Sequence, residues 1–118
     1  YAIVRGAVAR SLVSYGLLPT YGIFHNSDLN PYNLADDIIE PLRPLVDMVV
    51  KKLEQEDELD VHLGVNVKSA LLNVLVMEMH LNDENVLLLN ICDTMAHSFV
   101  KAMKQNDASS LLLPSILK

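Results

Sequence analysis

Apolar residues recur every three or four positions along most of this chain, and this spacing places them on one face of an α-helix. The longest run of this kind comprises Leu34, Ile38, Leu42, Leu45, Val49 and Leu53. The same spacing predicts further helices over residues 1–15, 65–81 and 84–105. No segment shows the clear alternation of apolar and polar residues that is typical of a half-buried strand. The sequence therefore predicts an all-α fold, a small helical bundle of about four to six helices.

Glycine and proline indicate where the predicted helices end. Gly16 follows the first helix and is the residue type that most often stops one. A connector rich in proline and glycine then leads to Asn33, which is expected to cap the second helix together with Asp36 three residues later. The tail over residues 108–118 is apolar but contains Pro114, so it is expected to dock on a neighbouring element or on a partner chain.

Length and composition limit the class of protein. The chain has 118 residues, of which 51% are hydrophobic, and this size predicts a single helical domain over residues 1–118. The lone Cys92 excludes an internal disulfide framework. No apolar run approaches the roughly 18–20 residues of a membrane span, and no signal peptide is visible, so a cytoplasmic location is expected. The chain opens within an amphipathic pattern without an initiator methionine, and we expect it to be a fragment of a larger protein.

The charge is unevenly distributed along the chain. The net charge is −6. Residues 1–27 carry +2, residues 28–63 carry −7 and residues 64–118 carry −1. Because contacts to phosphates need a basic surface, charge alone argues against nucleic-acid binding.

The stretch HNSDLNPYNLADDIIEPLRP, residues 25–44, contains four acids, and three of them crowd into five positions. Asp36, Asp37 and Glu40 lie within five positions of a predicted helix, where like charges three or four residues apart cost about 0.2–0.5 kcal/mol per pair. One interpretation is purely structural. Asp36 would then cap the helix, and the other acids would lie at the surface with Arg43 as their counter-charge.

A second interpretation starts from the prolines of the same stretch. A proline inside a helix clashes with the carbonyl four residues earlier and costs roughly 3 kcal/mol. For Pro41 and Pro44 these carbonyls belong to Asp37 and Glu40, so the helix is expected to kink or unwind where the acids lie. His25 precedes Glu40 by fifteen residues. A histidine with two carboxylates suits Mg²⁺ or Mn²⁺ better than Zn²⁺, which favours nitrogen and sulfur ligands.

Other residues offer weaker chemistry. Asp93 and His97 are four apart on a predicted helix and could share a metal ion, but the apolar surroundings favour a hydrogen-bonded pair at the edge of the core. Cys92 is interpreted as a small buried hydrophobe. The sequence contains no glycine-rich phosphate loop, no Ser-His-Asp arrangement and no CxxC motif.

The segments GLLPTYGIFH and LADDIIEPLRPLVD together resemble the CRISPR-associated spacer-acquisition integrase family, in its C-terminal helical domain. The family pattern has a glycine-containing approach to a histidine, a loop, and then Asp-x-x-Glu followed by Arg-Pro. The matching positions here are His25, Asp37, Glu40, Arg43 and Pro44. The similarity is most specific over residues 16–47, and weaker segments extend it over nearly all of the chain. The segment ADDIIEP, residues 35–41, is most similar to that of family members from systems with a single large RNA-guided effector nuclease.

The resemblance implies a metal-dependent DNA endonuclease and integrase of antiviral defence. It implies that His25 and Glu40 bind Mg²⁺ or Mn²⁺, and that Asp37 is either a further ligand or a support for the other two. The 3′-hydroxyl of a captured DNA fragment would attack the backbone of the CRISPR repeat by transesterification, without a covalent protein intermediate. The basic residues that could contact DNA phosphates, or else are solvated or pairing charges, are Arg5, Arg10, Arg43 and Lys51.

The implied partners are DNA (the prespacer and the CRISPR repeat), a second copy in a homodimer, a small companion adaptation protein and the RNA-guided effector nuclease; no membrane is implied. The family uses one more glutamate upstream of the histidine, but residues 1–24 contain no acid. We therefore expect this ligand and the family's N-terminal β-rich domain to lie outside the chain, and the fragment alone to bind metal weakly and to be almost inactive. Two alternatives stay open: a non-catalytic helical interaction module with LLLPSIL as its docking tail, and a helical phosphohydrolase that uses Asp93 and His97.

Overall fold

The computed structural model describes residues 1–55, 69 and 72–115. Helix α1 spans Ala2–Ser14, α2 spans Asn33–Ile39, α3 spans Arg43–Gln55 and α4 spans Leu88–Gln105. Strands β1 (Glu78–Leu81) and β2 (Glu84–Leu87) form a two-stranded sheet. Short 3₁₀ turns cover Glu40–Leu42, Asn73–Val76 and Ala108–Ser110. The division of the chain into a single domain stays a prediction.

The all-α prediction is wrong, because β1 and β2 form an antiparallel hairpin. Met79 pairs with Val86 in its register. Both turn residues have positive φ, 51° at Asn82 and 65° at Asp83, and two such residues form the type I′ turn that matches the twist of paired strands. The helix predicted over residues 65–81 lies partly outside the described residues, and its described end is a 3₁₀ turn followed by β1. The helix predicted from residue 84 begins only at Leu88, after β2.

The stop of the first helix at Gly16 is confirmed. Gly16 has φ 82°, a left-handed conformation that costs little without a Cβ. Its N–H donates to the carbonyl of Val13 at 2.9 Å, and the N–H of Leu17 donates to the carbonyl of Leu12 at 3.0 Å. These bonds satisfy carbonyls that the helix end would otherwise leave unpaired. The connector that carries His25 starts from this turn.

The predicted distortion at the prolines is confirmed. A 3₁₀ turn, Glu40–Leu42, replaces regular helix between α2 and α3, and Pro41 lies within it. The apolar face on both sides of the turn points inward as predicted, and its buried members are Leu34, Ile38, Leu42 and Leu45. The predicted cap at Asn33 is wrong, since Asn33 is the first residue of α2 and its amide donates to the carbonyl of Ser27 instead.

The core forms where α1 packs against α2 and α4. Its largest fully buried side chains include Leu12, Ile39, Leu42, Met79, Leu88, Ile91 and Met95. Cys92 is fully buried among them, and burial raises the pKa of its thiol to about 12, so it is a packed hydrophobe as predicted.

The tail docks on the fold itself. Ser115 pairs with His80 of β1 through two backbone hydrogen bonds of 2.8 Å. Leu111 and Leu112 pack against the core and Pro114 is buried. Of the two expectations for the tail, the structure supports docking on a neighbouring element over the described residues. No helix among the described residues is long and apolar enough to cross a membrane.

Candidate functional site around His25

A tight loop between α1 and α2 delivers His25. The N–H of Leu34 donates to the carbonyl of Pro19 at 2.6 Å, and this bond closes the loop at its base. Gly22 lies where the two sides of the loop meet. A Cβ at this position would stand 2.1 Å from the carbonyl oxygen of His25 and 2.9 Å from the Cβ of Asn33. Only glycine fits there without a shift of the backbone.

The carboxylate of Asp37 organises the segment that ends in His25. Its Oδ2 accepts the backbone N–H groups of Ile23 at 2.5 Å and of Phe24 at 3.0 Å. Its Oδ1 accepts the backbone N–H of His25 at 3.0 Å and the ring Nδ1 of the same residue at 2.7 Å. Four donors therefore converge on one carboxylate from α2 and hold three consecutive loop residues.

The charge state of Asp37 follows from these contacts. Burial of the carboxyl group raises its pKa, but the hydrogen bonds from the backbone and ring of His25, with those from Ile23 and Phe24, outweigh burial and lower the pKa overall. Asp37 is thus ionised at neutral pH. An ionised carboxylate only accepts hydrogen bonds, so the Nδ1 of His25 must carry the proton in this contact.

This contact sets which nitrogen of His25 can act as a ligand. With the proton on Nδ1, a neutral imidazole presents its lone pair at Nε2. The side chain of His25 is 32% exposed and that of Asp37 is 9% exposed, so the ring reaches solvent while the carboxylate behind it is covered. The Phe24 ring meets the His25 ring edge-on at 5.8 Å. A histidine fixed by a carboxylate in this way is the usual arrangement of a metal-binding histidine.

Glu40 lies apart from this network. Its Oε1 accepts the Nε of Arg43 at 3.0 Å, and its side chain is 52% exposed. The guanidinium of Arg43 also lies over the ring of Tyr1, 4.9 Å from the centroid. The predicted counter-charge for Glu40 is therefore in place.

Asp36 has yet another partner. Its Oδ2 accepts the side-chain amide of Asn30 at 2.8 Å. No side-chain hydrogen bond caps α2, so the capping box predicted for Asn33 and Asp36 is wrong. Asp36 instead ties the loop to the helix.

The structure brings together only part of the predicted metal site. His25 and Asp37 are in contact, whereas the contact recorded for Glu40 is with Arg43. Among the side chains of residues 1–55, 69 and 72–115, no three His, Cys, Asp or Glu residues are grouped closely enough to hold a metal ion. The donor chemistry nevertheless fits Mg²⁺ or Mn²⁺, since these ions bind few carboxylates and keep water or phosphate oxygens as other ligands. An imidazole nitrogen and an exposed carboxylate suit such a partial set.

The basic residues predicted to contact DNA fall into two groups. The guanidinium of Arg5 lies 4.5 Å from the ring centroid of Tyr32, and Arg43 is held by Glu40 and Tyr1, so these two have contacts within the chain. Arg10 and Lys51 are exposed. The structure does not test whether any of these four residues contacts DNA.

The pair Asp93 and His97 is not arranged as the sequence predicted, because Tyr15 makes the contacts with both. The hydroxyl of Tyr15 donates to Oδ2 of Asp93 at 3.0 Å, and this bond raises the pKa of Tyr15 above its ordinary value. The ring of His97 stacks on the ring of Tyr15, with centroids 5.3 Å apart and an interplanar angle of 9°. Sequence reasoning missed Tyr15, since it follows the end of α1 and carries no motif.

Two comparisons with known proteins agree with the motif. The family model described as CRISPR associated protein Cas1 matches residues 1–79, which include His25, Asp37 and Glu40. The CRISPR-associated endonuclease Cas1 of Neisseria meningitidis serogroup C (strain 8013) is 43% identical over 117 residues. That match covers 99% of the chain but 38% of the relative, so the chain spans well under half of the relative's length. The resemblance seen in residues 16–47 is confirmed, and the chain belongs to the Cas1 family of CRISPR-associated proteins.

Proposed function

We propose that the full-length protein carrying this chain is a Mg²⁺- or Mn²⁺-dependent DNA endonuclease and integrase. In this proposal it joins the 3′-hydroxyl ends of captured DNA to the CRISPR repeat by transesterification. The relative from Neisseria meningitidis is named an endonuclease, and the shared segment contains the histidine and both acids of the motif. The observation that carries the proposal is the four-donor contact of Asp37, which holds Nδ1 of the partly exposed His25 ring and leaves the lone pair of Nε2 for a ligand.

In the proposed mechanism, the three motif residues have different roles. His25 through Nε2 and Glu40 through its carboxylate would hold the divalent cation. The cation, when bound, supplies positive charge at the scissile phosphate and at the attacking and leaving oxygens. Asp37 is a positioning residue rather than a ligand, because its two oxygens already accept four hydrogen bonds. By accepting the Nδ1 proton it keeps His25 in one tautomer and makes the ring a stronger donor to a metal.

Arg43 would fix the orientation of the Glu40 carboxylate. Its guanidinium binds Oε1 of Glu40 and is itself held over the Tyr1 ring, so it restricts where the carboxylate can point. It also balances the charge of Glu40. Arg43 is thereby assigned to positioning Glu40, and contact with a DNA phosphate is the weaker of its two predicted roles.

The partners belong to the same proposal. DNA is the substrate, as prespacer and as repeat. A second copy of the protein, a small companion adaptation protein and the RNA-guided effector nuclease are the proteins implied by the family resemblance. The resemblance also implies a further glutamate ligand, and residues 1–24 contain no acid. We therefore expect the 118-residue chain alone to bind manganese weakly, and tight binding in calorimetry would contradict the proposed ligand set.

The test is a joining assay in the full-length protein. His25→Ala and Glu40→Ala are made separately, and the manganese-dependent joining of a short duplex to a plasmid with a CRISPR repeat is measured. Glu54→Ala is the matched control, because Glu54 is an exposed acid on α3. Joining should fall by at least about 100-fold in both motif variants and stay unchanged in the control. Undiminished joining in either motif variant would refute the assignment.

A further inference from the structure

A second candidate site lies where the end of α1 meets α4. It is an open groove with a volume of about 340 Å³, and its lining consists of Tyr15, His97, Val100, Lys101, Lys104 and Gln105. We call it the Tyr15 groove. Five of these six residues carry polar or aromatic groups, and Val100 is the only aliphatic one. The proposed metal site uses none of them.

The floor of the Tyr15 groove is held in place from two sides. The Tyr15 hydroxyl is bound by Asp93 at 3.0 Å, and the Tyr15 ring is covered by the parallel ring of His97. Because Asp93 and His97 lie one turn apart on α4, they fix Tyr15 against that helix. The Asp93 carboxylate next to the groove is thereby hydrogen-bonded to the Tyr15 hydroxyl.

The basic residues of the groove come from one face of α4. His97, Lys101 and Lys104 follow one another at intervals of four and three residues, so their side chains lie along the same side of the helix. Lys101 and Lys104 are both exposed. Their position near the end of α4 also suits the helix dipole, but the dipole does not explain why they border a groove with two stacked aromatic rings.

This combination of groups selects among ligands. Ammonium groups and the Gln105 amide are donors for phosphate oxygens, and flat aromatic rings are surfaces on which nucleobases stack. An apolar ligand would gain nothing from the two ammonium groups. An acidic peptide would use the lysines but gain little from the ring faces. A nucleic-acid strand is the ligand that uses both.

We propose that the Tyr15 groove binds the phosphodiester backbone of a DNA strand, with Lys101 and Lys104 as phosphate contacts. The proposal rests on the proposed function, since it takes DNA to be the substrate. Tyr15 lies ten residues before His25 along the connector, so the two are at most about 35 Å apart. A single DNA molecule can therefore occupy the groove and reach the site at His25. Lys101 and Lys104 thus give this groove two positive charges in a chain whose net charge is −6.

The decisive variant is Lys101→Gln with Lys104→Gln in the full-length protein. The control is Lys52→Gln, an exposed lysine on α3 that is not among the predicted DNA contacts, and it is compared with the single variants Lys101→Gln and Lys104→Gln, which lose the same charge. Binding of a fluorescent single-stranded DNA is measured by anisotropy at several salt concentrations. Losing two phosphate contacts should weaken binding about tenfold at 0.1 M salt and reduce the slope of log K against log salt by about 1.4. The control should keep a slope closer to that of the unmodified protein.

Four results would overturn the proposal. One is a loss of affinity in Lys52→Gln equal to that in Lys101→Gln and in Lys104→Gln, which would show a general charge effect. Another is an unchanged salt slope in the groove variant. The third is competition by polyglutamate as effective as that by unlabelled DNA, which would indicate an acidic protein as the ligand. Inorganic phosphate at millimolar concentration should compete only weakly, and full displacement by it would indicate a free-phosphate site instead.

The two proposals can fail separately. If His25→Ala abolishes joining while the groove variant binds DNA normally, the groove proposal fails and the proposed function stands. If the groove variant loses affinity while His25→Ala joins DNA normally, the groove binds DNA but the metal site is wrong. Support for both requires that His25→Ala keeps DNA affinity and loses joining, and that the groove variant loses affinity.

Discussion

Replacing Asp37 by asparagine removes one charge and changes almost no volume, so it isolates what the carboxylate does. Asparagine has one acceptor oxygen where aspartate has two, and its other terminal atom is a donor. Of the four hydrogen bonds to Asp37, the two on one oxygen must therefore be lost. Bonds to a charged group contribute about 1.5–3 kcal/mol each, and the loop is partly open to solvent. We expect the free energy of unfolding to fall by roughly 2–4 kcal/mol, as measured by urea denaturation.

The orientation of the new amide decides what happens to His25. If the amide nitrogen faces the ring, it donates to Nδ1, and the proton of the imidazole moves to Nε2. The Nε2 lone pair that would bind a metal is then gone. If the amide nitrogen faces Ile23 and Phe24 instead, two backbone donors lose their acceptor and the loop loosens. In either case manganese affinity in the full-length protein should fall about 10–100-fold, and the nitrogen chemical shifts of the His25 ring distinguish the two cases.

Asp36→Asn is the matched control, because it removes the same charge from the adjacent residue. Asp36 accepts one side-chain bond, from Asn30, so its replacement should cost no more than about 1 kcal/mol. Equal destabilisation by the two variants would refute the positioning role of Asp37. So would a manganese affinity that is the same in Asp37→Asn and in the unmodified protein.

Acid provides a second check on the same carboxylate. The pKa of Asp37 is lowered on folding from its ordinary value of 3.8. A group with a lowered folded pKa stabilises the fold above its unfolded pKa, and this contribution disappears as the pH falls through the folded pKa. The stability difference between the unmodified protein and Asp37→Asn should therefore be constant above about pH 5 and shrink below about pH 4. A difference that grows on acidification would contradict the assigned direction of the pKa shift.

Three further predictions follow from the described geometry. Gly22→Ala should destabilise the protein by about 1–3 kcal/mol in urea, since its Cβ would meet the carbonyl of His25; an unchanged midpoint would show that the loop is not closed as described. Asp83→Gly should stabilise the hairpin by about 0.5–1 kcal/mol, because φ is 65° there and Asn82-Gly is the preferred type I′ pair; lower thermal stability would contradict that turn. The Cys92 thiol, with its pKa raised to about 12 by burial, should react with a thiol reagent only as fast as the protein unfolds, and rapid labelling of the native protein would show that it is accessible.

The helical part of the fold could be predicted because a long run of apolar residues at helical spacing is compatible with few structures other than a helix. Leu34, Ile38, Leu42 and Leu45 keep one register on both sides of the 3₁₀ turn and are all buried. The hairpin was missed because each strand has only four residues. Over so short a span, the apolar residues of β1 and the segment before it fit a helical spacing as well as an alternating one. The Asn82-Asp83 pair was the available signal, since both residue types tolerate positive φ.

The candidate site could be predicted only in its composition. The sequence placed His25, Asp37 and Glu40 together as one group. The sequence could not show that the Asp37 carboxylate accepts four hydrogen bonds while the Glu40 carboxylate is exposed. Three of the four donors to Asp37 are backbone N–H groups, which do not depend on residue type. The contact of Tyr15 with α4 was out of reach for a similar reason: it joins positions 78 residues apart.

The crowding of acids in residues 36–40 has an explanation that needs no cation. Asp36 binds the Asn30 amide, Asp37 binds three backbone N–H groups and the His25 ring, and Glu40 binds Arg43. Each carboxylate thus has its own donors, and the like charges are compensated one by one. Crowded acids are consequently weak evidence for a metal site in this chain. The stronger evidence is the state of the neighbouring histidine, because a partly exposed ring whose Nδ1 is held by a covered carboxylate is suited to bind a metal through Nε2, whereas a surface histidine needs no such support.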